Sequence, residues 1–386
     1  MRIAYYCQHV LGIGHFHRSL EICKELAEHH EVRLIVGGPP VDDVPKNITL
    51  VQLPGLQMDT DFKNLAPCNS AYSLDEVKKQ RGTRLYSFFE KFRPEVFLVE
   101  LYPFGRKAFR FELDPVLKAI RKGELSPCKC FVSLRDILVE RPNDRERFEE
   151  RVITTLNRLF DGLLVHADDT VVTLGETFNR YPDIEVPIHY TGFVTPKSTP
   201  QSREKMRHQL SLAANEKLIV VSVGGGNVGE ELLVASIAAF KQLNTDKNCR
   251  MQLFCGPYCP ENTVQRLLLN LPPNAAVDRF SAHFPDWLQA ADLSISMAGY
   301  NTCMNIVQAG IPALVYPFAQ NQEQAFRARR LARKATITIL GDTDLTEHTL
   351  ATHIISMLGR TRYQADINLD GAVGSRLQIE RWCQGV

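Results

Sequence analysis

The chain has 386 residues, 45 of them basic and 44 acidic, for a net charge of +1. Apolar residues make up 44% and charged residues 23%, the usage of a globular protein long enough for two cores of about 190 residues each. That balance excludes a global field for nucleic acid or a membrane surface and leaves only local patches.

The opening stretch MRIAYYCQHVLGIGHFHR has one early cation, and its apolar run breaks at Gly12. It reads as a first strand, Arg2–Tyr6, and not as a signal peptide. No apolar run approaches the roughly 18 residues of a spanning helix, so no transmembrane segment is expected. The expected compartment is the cytoplasm, with peripheral membrane contact left open. A helix over 18–29 follows, with Leu20, Cys23, Leu26 and Ala27 at helical spacing. Further strands are predicted at Glu31–Val36, Val96–Val99, Cys130–Ser133, Gly162–Val165 and Ile188–Tyr190.

The proline- and serine-rich stretch 195–202 reads as a linker. Alternation then restarts with a strand at Leu218–Val223, a turn at Gly224–Gly226 and a helix at Glu230–Leu243. Strands follow at Met251–Cys255, Ala276–Phe280, Leu293–Ser296, Ala313–Tyr316 and Thr336–Ile339. Strand–helix alternation predicts parallel sheets covered on both faces. The expected domains are residues 1–194 and 203–365, with 366–386 packing back on the first. The ten cysteines are scattered and read as reduced thiols. Cys128-Lys-Cys130 and Cys255–Cys259 have no second pair at zinc-site spacing.

Glycine between a strand and a helix lets backbone approach a ligand, and the helix start offers free N–H groups to an anion. Three places fit: Gly12-Ile-Gly14-His15, Gly224-Gly225-Gly226-Asn-Val-Gly229 and Gly299-Tyr-Asn301-Thr302. The second matches a dinucleotide fingerprint, but no acidic residue at the end of the next strand completes it. At the third, Asn301 or Thr302 is expected to cap a helix over 303–309. The next strand ends at Pro317, and the amides Gln320, Asn321, Gln322 and Gln324 follow. A phosphate site beside amides suits a sugar nucleotide, because an amide both donates to and accepts from hydroxyls.

This stretch resembles the donor-binding segment of GT-B glycosyltransferases, particularly the peptidoglycan N-acetylglucosaminyltransferase and UDP-glycosyltransferase families. The residues that carry the resemblance are Gly299-Tyr-Asn-Thr302, Gly310-Ile-Pro312, Pro317, Glu323-Gln324 and Ala328. Upstream they are Asp278–His283 and Leu288-x-x-Ala-Asp292; in the first half, Gly12-Ile-Gly14-His15 and Leu134-Arg135-Asp136. The whole looks closest to a group of bacterial predicted glycosyltransferases. The resemblance implies two Rossmann-like, doubly wound α/β domains facing a cleft.

It also implies roles. Phe280, Ser281 and His283 flank a uracil. Gly225, Gly226, Gly299, Asn301 and Thr302 meet a diphosphate, and Glu323 and Gln324 hold donor-sugar hydroxyls. His15 is the base on the acceptor side, beside Gly14, Arg135 and Asp136. His17 is a rival base and stands where the families often have proline. The polar segment 54–82 is the expected acceptor loop, with the acceptor unidentified: a lipid, a saccharide or a small metabolite. No cofactor or metal is expected, since Asp42-Asp43 and Asp168-Asp169 are adjacent pairs without the spacing of a cation-binding triplet. Where the families have glutamate after Thr302, this chain has Asn305, which weakens its grip on a ribose diol. The implied reaction is inverting hexosyl or N-acetylhexosaminyl transfer from a UDP-sugar. A sugar-nucleotide epimerase of the same fold and a non-catalytic sugar-nucleotide binder are the alternatives.

Overall fold

The computed structural model describes residues 1–8, 14–41, 44–58, 65–138, 144–199, 201–243, 248–320 and 322–384. The chain divides into two compact units, Met1–Val194 with Asn368–Val386, and Thr195–Ile367. In the first unit the elements run β1 (Arg2–Tyr6), α1 (Gly14–Ala27), β2 (Glu31–Val36), β3 (Ile48–Gln52), β4 (Leu56–Met58), β5 (Leu65–Pro67) and α2 (Leu74–Phe92). They continue with β6 (Val96–Glu100), α3 (Arg110–Lys122), β7 (Lys129–Arg135), α4 (Arg145–Leu159), β8 (Gly162–His166) and β9 (Ile188–Tyr190). The second unit holds α5 (Gln201–Gln209), β10 (Lys217–Ser222), α6 (Glu230–Leu243), β11 (Cys249–Phe254), α7 (Glu261–Asn270) and β12 (Ala275–Asp278). After these come α8 (Phe284–Ala290), β13 (Leu293–Met297), α9 (Tyr300–Ala309), β14 (Ala313–Tyr316), α10 (Gln322–Leu331), β15 (Ile337–Ile339) and α11 (Glu347–Leu358). The last helix, α12 (Gly371–Gln384), belongs to the first unit.

Seven strands of the first unit form a parallel sheet in the order β3-β2-β1-β6-β7-β8-β9. Its central strands are buried from end to end, as in Val96–Glu100, because helices cover both faces. Amphipathic α1 turns Phe16, Leu20, Cys23 and Leu26 into that core. Helix α12 packs on α1: Arg376 Nε donates to Glu25 Oε1 at 2.8 Å, and the Trp382 ring lies 5.0 Å from that of Phe131. The second sheet is also parallel, ordered β12-β11-β10-β13-β14-β15, around a core that includes Val221, Phe240, Leu253, Ile295, Leu314 and Ile354. All ten cysteines are free thiols. Among the described residues, no helix is long and apolar enough to cross a membrane.

Four sequence expectations move. The first helix begins at Gly14 and not at residue 18, so His15 and His17 stand in its first turn. The strand expected to reach Phe280 stops at Asp278. Helix α5 starts at Gln201, inside the expected linker, where Arg203 and Arg207 hold Asp292 at 3.0 and 3.2 Å. The expected acceptor loop contains regular elements: β4 and β5 pair antiparallel, and α2 starts at a capping box. There Glu76 N–H donates to Ser73 Oγ at 3.3 Å, and Ser73 N–H donates to Glu76 Oε2 at 2.8 Å. From α2, fully buried Arg81 reaches Glu112 and the carbonyls of Gly37 and Pro54, which pins this segment to the sheet. Residues 59–64 of it lie outside the described residues.

Candidate active site and nucleotide-binding edge

In each sheet the strand order reverses beside its first strand, between β1 and β6 and between β10 and β13. In open α/β sheets the crevice past the carboxyl ends of the strands at such a switch point is where ligands bind. The two switch points carry different chemistry.

In the first unit, β6 ends on Glu100, and α1, which follows β1, carries His15. His15 Nδ1 lies 2.6 Å from Glu100 Oε1. Arg18, one turn along α1, donates from Nη2 to the same oxygen at 2.7 Å, and Arg106 Nε stands 3.6 Å from Glu100 Oε2. The loop that brings Arg106 back bends through left-handed φ values of 66° at Leu101 and 55° at Arg106, costing roughly 1–2 kcal/mol per residue. Glu100 is only 1% exposed. Although burial opposes its charge, His15, Arg106 and Arg18 hold its carboxyl well below the usual range. Desolvation, with help from Arg106 and Arg18 and against Glu100, pushes the partly exposed His15 imidazole down to about 4. Near neutral pH the ring is therefore neutral, with Nδ1–H donated to Glu100 and the Nε2 lone pair free to take a proton. Glu100 fixes the tautomer and would stabilise the imidazolium that forms, as the third member of a catalytic triad does.

The other expected first-half residues group less tightly. Gly14 opens α1, whereas Gly12 lies outside the described residues. His17 is half-buried, and burial lowers its pKa; its ring stands 5.8 Å from Phe16, edge to face. Arg135 ends β7, opposite His166 of β8, and Asp136 follows it, buried. Fully buried His166 bridges Ser133 Oγ at 2.6 Å and Thr191 Oγ1 at 3.0 Å, and burial pushes it down to about 3.

In the second unit the turn after β10 is nearly bare backbone. Gly224, Gly226 and Gly229 have φ of 71°, 89° and 98°. A Cβ at Gly226 would stand 2.4 Å from the Cys255 carbonyl oxygen, so only glycine fits. Tyr258, half exposed, donates its N–H to the Gly225 carbonyl at 3.0 Å. Across the switch point, Gly299 itself is the N-cap of α9 and makes no side-chain cap hydrogen bond. That corrects the expected cap: Asn301 and Thr302 lie inside the first turn, and the helix starts at Tyr300 and not at 303. Beyond β14, α10 begins at Gln322 with Glu323 buried in its first turn. Gln324 Oε1 accepts the Phe318 N–H at 3.0 Å, closing the loop before the helix. Arg327, one turn further on, donates to the Ala298 carbonyl at 3.3 Å and lies over the Tyr300 ring at 5.5 Å. It brings a positive charge to the start of α9. Asn321 lies outside the described residues.

Phe280 follows β12 and is 53% exposed, so it is no core residue. Ser281 Oγ accepts the N–H of His283, whose ring is exposed 3.6 Å from Asp286. Asn305 faces Thr195, which donates its hydroxyl to Asn305 Oδ1 at 2.9 Å. Two Asp-x-Asp spacings do occur in the chain, contrary to the sequence reading. Asp59-Thr60-Asp61 is outside the described residues. In Asp342-Thr343-Asp344, Asp342 accepts from Tyr316 at 2.7 Å, and Asp344 accepts the Gly341 N–H at 2.8 Å. Among the described residues, no group of three or more His, Cys, Asp and Glu could hold a metal ion. The sequence reading missed Glu100, Arg18, Arg106, Tyr258 and Arg327. A glutamate ending an apolar strand run was the one visible signal.

Two parallel-sheet α/β domains with these switch points form a GT-B architecture. Residues 220–367 match the Glycosyltransferase family 28 C-terminal domain, and the chain resembles GT-B glycosyltransferases of the peptidoglycan N-acetylglucosaminyltransferase kind. It is 25% identical over 203 residues to the UDP-N-acetylglucosamine–N-acetylmuramyl-(pentapeptide) pyrophosphoryl-undecaprenol N-acetylglucosamine transferase of Carboxydothermus hydrogenoformans, covering 51% of this chain and 53% of that one. The chain thus spans about half the length of such relatives. An uncharacterized glycosyltransferase of Methanosarcina acetivorans is 23% identical over 82% of this chain and 80% of its own. A glycosyltransferase structure from Rickettsia africae shares the fold at a TM-score of 0.63 and 13% identity, covering 99% of this chain and 98% of that one.

Proposed function

We propose that the protein is an inverting glycosyltransferase that uses a UDP-sugar donor and activates the acceptor with His15. The observation that carries this reading is the 2.6 Å contact of His15 Nδ1 with buried Glu100. An acceptor hydroxyl gives its proton to His15 Nε2, and its oxygen attacks the anomeric carbon. The bond to the diphosphate oxygen breaks and UDP leaves with the electron pair, inverting the configuration. The backbone of Gly225 and Gly226 and the first amides of α9 suit the charge developing on the diphosphate. Exposed Phe280 suits a base, and Glu323 with Gln324 suits the sugar hydroxyls. The family match across 220–367 supports the assignment of the donor to the second unit. A nucleotide-sugar donor fits a cytoplasmic location.

The test is a panel of UDP-sugars with the full chain, scored separately for UDP release, sugar transfer and epimer formation. Lipid-linked, saccharide and small-molecule acceptors are offered in turn. UDP release with transfer supports the proposal. Epimer interconversion without UDP release supports the epimerase, and binding without turnover supports the non-catalytic binder.

A further inference from the structure

The sheet order of the second unit puts β11 between β10 and β12. The three strands run parallel, so the turns that follow them leave the sheet at one edge. The turn after β10 carries Gly225 and Gly226, and the turn after β12 carries Phe280. A ligand with its anion on the first turn and its base on the second must pass over the end of β11, across two strand spacings or about 10 Å. Tyr258 stands at that crossing. Its loop is bonded to both neighbours: Tyr258 N–H donates to the Gly225 carbonyl at 3.0 Å, and Gly256 N–H to that of Arg279 at 2.8 Å. Cys259 N–H closes the turn onto the Gly256 carbonyl at 3.2 Å, and Arg279 Nη1 donates to the Cys259 carbonyl at 2.6 Å. Cys255 and Cys259 are buried in the core, which leaves the Pro257 and Tyr258 side chains outside. A Cβ on Gly225 would lie 3.8 Å from Tyr258 Cδ2, so the ring leans over the glycine turn. Tyr258 and Phe280 are thus two half-exposed rings at one edge of the sheet.

Between the diphosphate and the base of a nucleotide lies the ribose, which has apolar C–H faces and two hydroxyls. A phenol matches both, since its ring is an apolar face and its hydroxyl donates and accepts. We propose that Tyr258 binds the donor's ribose, with its ring against the sugar and its hydroxyl on one of the ribose hydroxyls. This role rests on the UDP-sugar reading of the second unit. It supplies part of the grip that Asn305 lacks, because Asn305 Oδ1 already accepts from Thr195.

The experiment is calorimetry of the full chain with UDP, 2′-deoxy-UDP and 3′-deoxy-UDP, on the wild type, Tyr258→Phe and Tyr258→Ala. The wild type should bind UDP roughly 2–10-fold more tightly than the analogue that lacks the bonded hydroxyl. Tyr258→Phe should weaken UDP and leave that analogue unchanged, which erases the preference. Tyr258→Ala loses the ring as well and should weaken all three ligands by roughly a further fivefold. Equal losses for all three in Tyr258→Phe would mark a structural role and overturn the proposal. So would a wild type without preference between UDP and either analogue, a Tyr258→Phe that keeps the wild-type preferences, or variants that bind UDP as the wild type does. A wild type that binds none of the three ligands would sink the UDP reading itself, and this role with it.

Discussion

The two switch points have the same topology and opposite chemistry. Between β1 and β6 the crevice is built of buried charges: Glu100 is clasped by His15, Arg18 and Arg106. Between β10 and β13 it is built of glycine turns and an uncapped helix start. A buried titratable cluster suits proton transfer, because burial and neighbouring charges set its pKa. Bare backbone suits anion binding, because amide donors carry no pH dependence and glycine admits a close ligand. One fold thus supplies two instruments, and the second is the one that the family match covers.

The comparison breaks most easily at Glu100. Glu100→Gln removes the charge that orients His15 and stabilises its protonated form, so turnover should fall by about 10²–10⁴-fold. It also strands Arg18 and Arg106, at about 3–5 kcal/mol of stability. Nucleotide affinity, measured by calorimetry on the folded fraction, should stay nearly constant. A parallel loss of affinity would mean that the two switch points do not divide the labour.

The mirror change is Gly226→Ala. The new Cβ meets the Cys255 carbonyl at 2.4 Å, with φ at 89°. At least about 1–2 kcal/mol of backbone strain follows, and nucleotide affinity should fall by roughly tenfold or more. The pH midpoint of activity should not move. A shifted midpoint would tie the glycine turn to the proton-transfer step.

Acid sharpens the contrast. His15 at about 4 and His166 at about 3 are neutral in the fold but titrate near 6.5 when unfolded. Below pH 6.5 the unfolded chain binds the extra protons, so stability falls as pH drops toward 4. His15 alone contributes on the order of 3 kcal/mol to that loss. Glu100, held low, acts in the same direction below about pH 4.3. For activity, kcat/KM should keep a plateau down to about pH 5 and bend near 4, where His15 titrates. A midpoint near 6.5 would place the base elsewhere.

The smallest effect is expected at Asn305. Its Oδ1 accepts from Thr195, which leaves one lone pair on that oxygen beside an NH₂ that donates. Asn305→Glu supplies a second, charged acceptor and should tighten UDP binding by about fivefold with unchanged base selectivity. Unchanged or weaker binding would put residue 305 outside the nucleotide site.

Local features of the fold were legible because they are written locally. Alternating apolar runs and helical spacing marked most strands, and the glycine turns after β10 and β13 stood out by composition. Strand β3, short and flanked by prolines, escaped notice, as did the capping box at Ser73 within a stretch read as loop. The site was legible only in part. His15 drew attention as a histidine beside glycines, but Glu100 gains its meaning from the pairing of β1 with β6, and its hydrogen bond to His15 spans 85 residues. Thr195 and Asn305 are 110 residues apart, so no spacing rule connects them. The N-cap was misread because asparagine and threonine favour that position by intrinsic preference, while the sharp turn after β13 gives it to Gly299.

His15→Ala tests the division of labour most directly, with UDP affinity and the rate of UDP release from a UDP-sugar measured on the same preparation. Turnover should fall by about 10²–10⁴-fold while the Kd for UDP stays within about twofold of the wild type. Equal loss of both, or a rate left unchanged, would contradict the account.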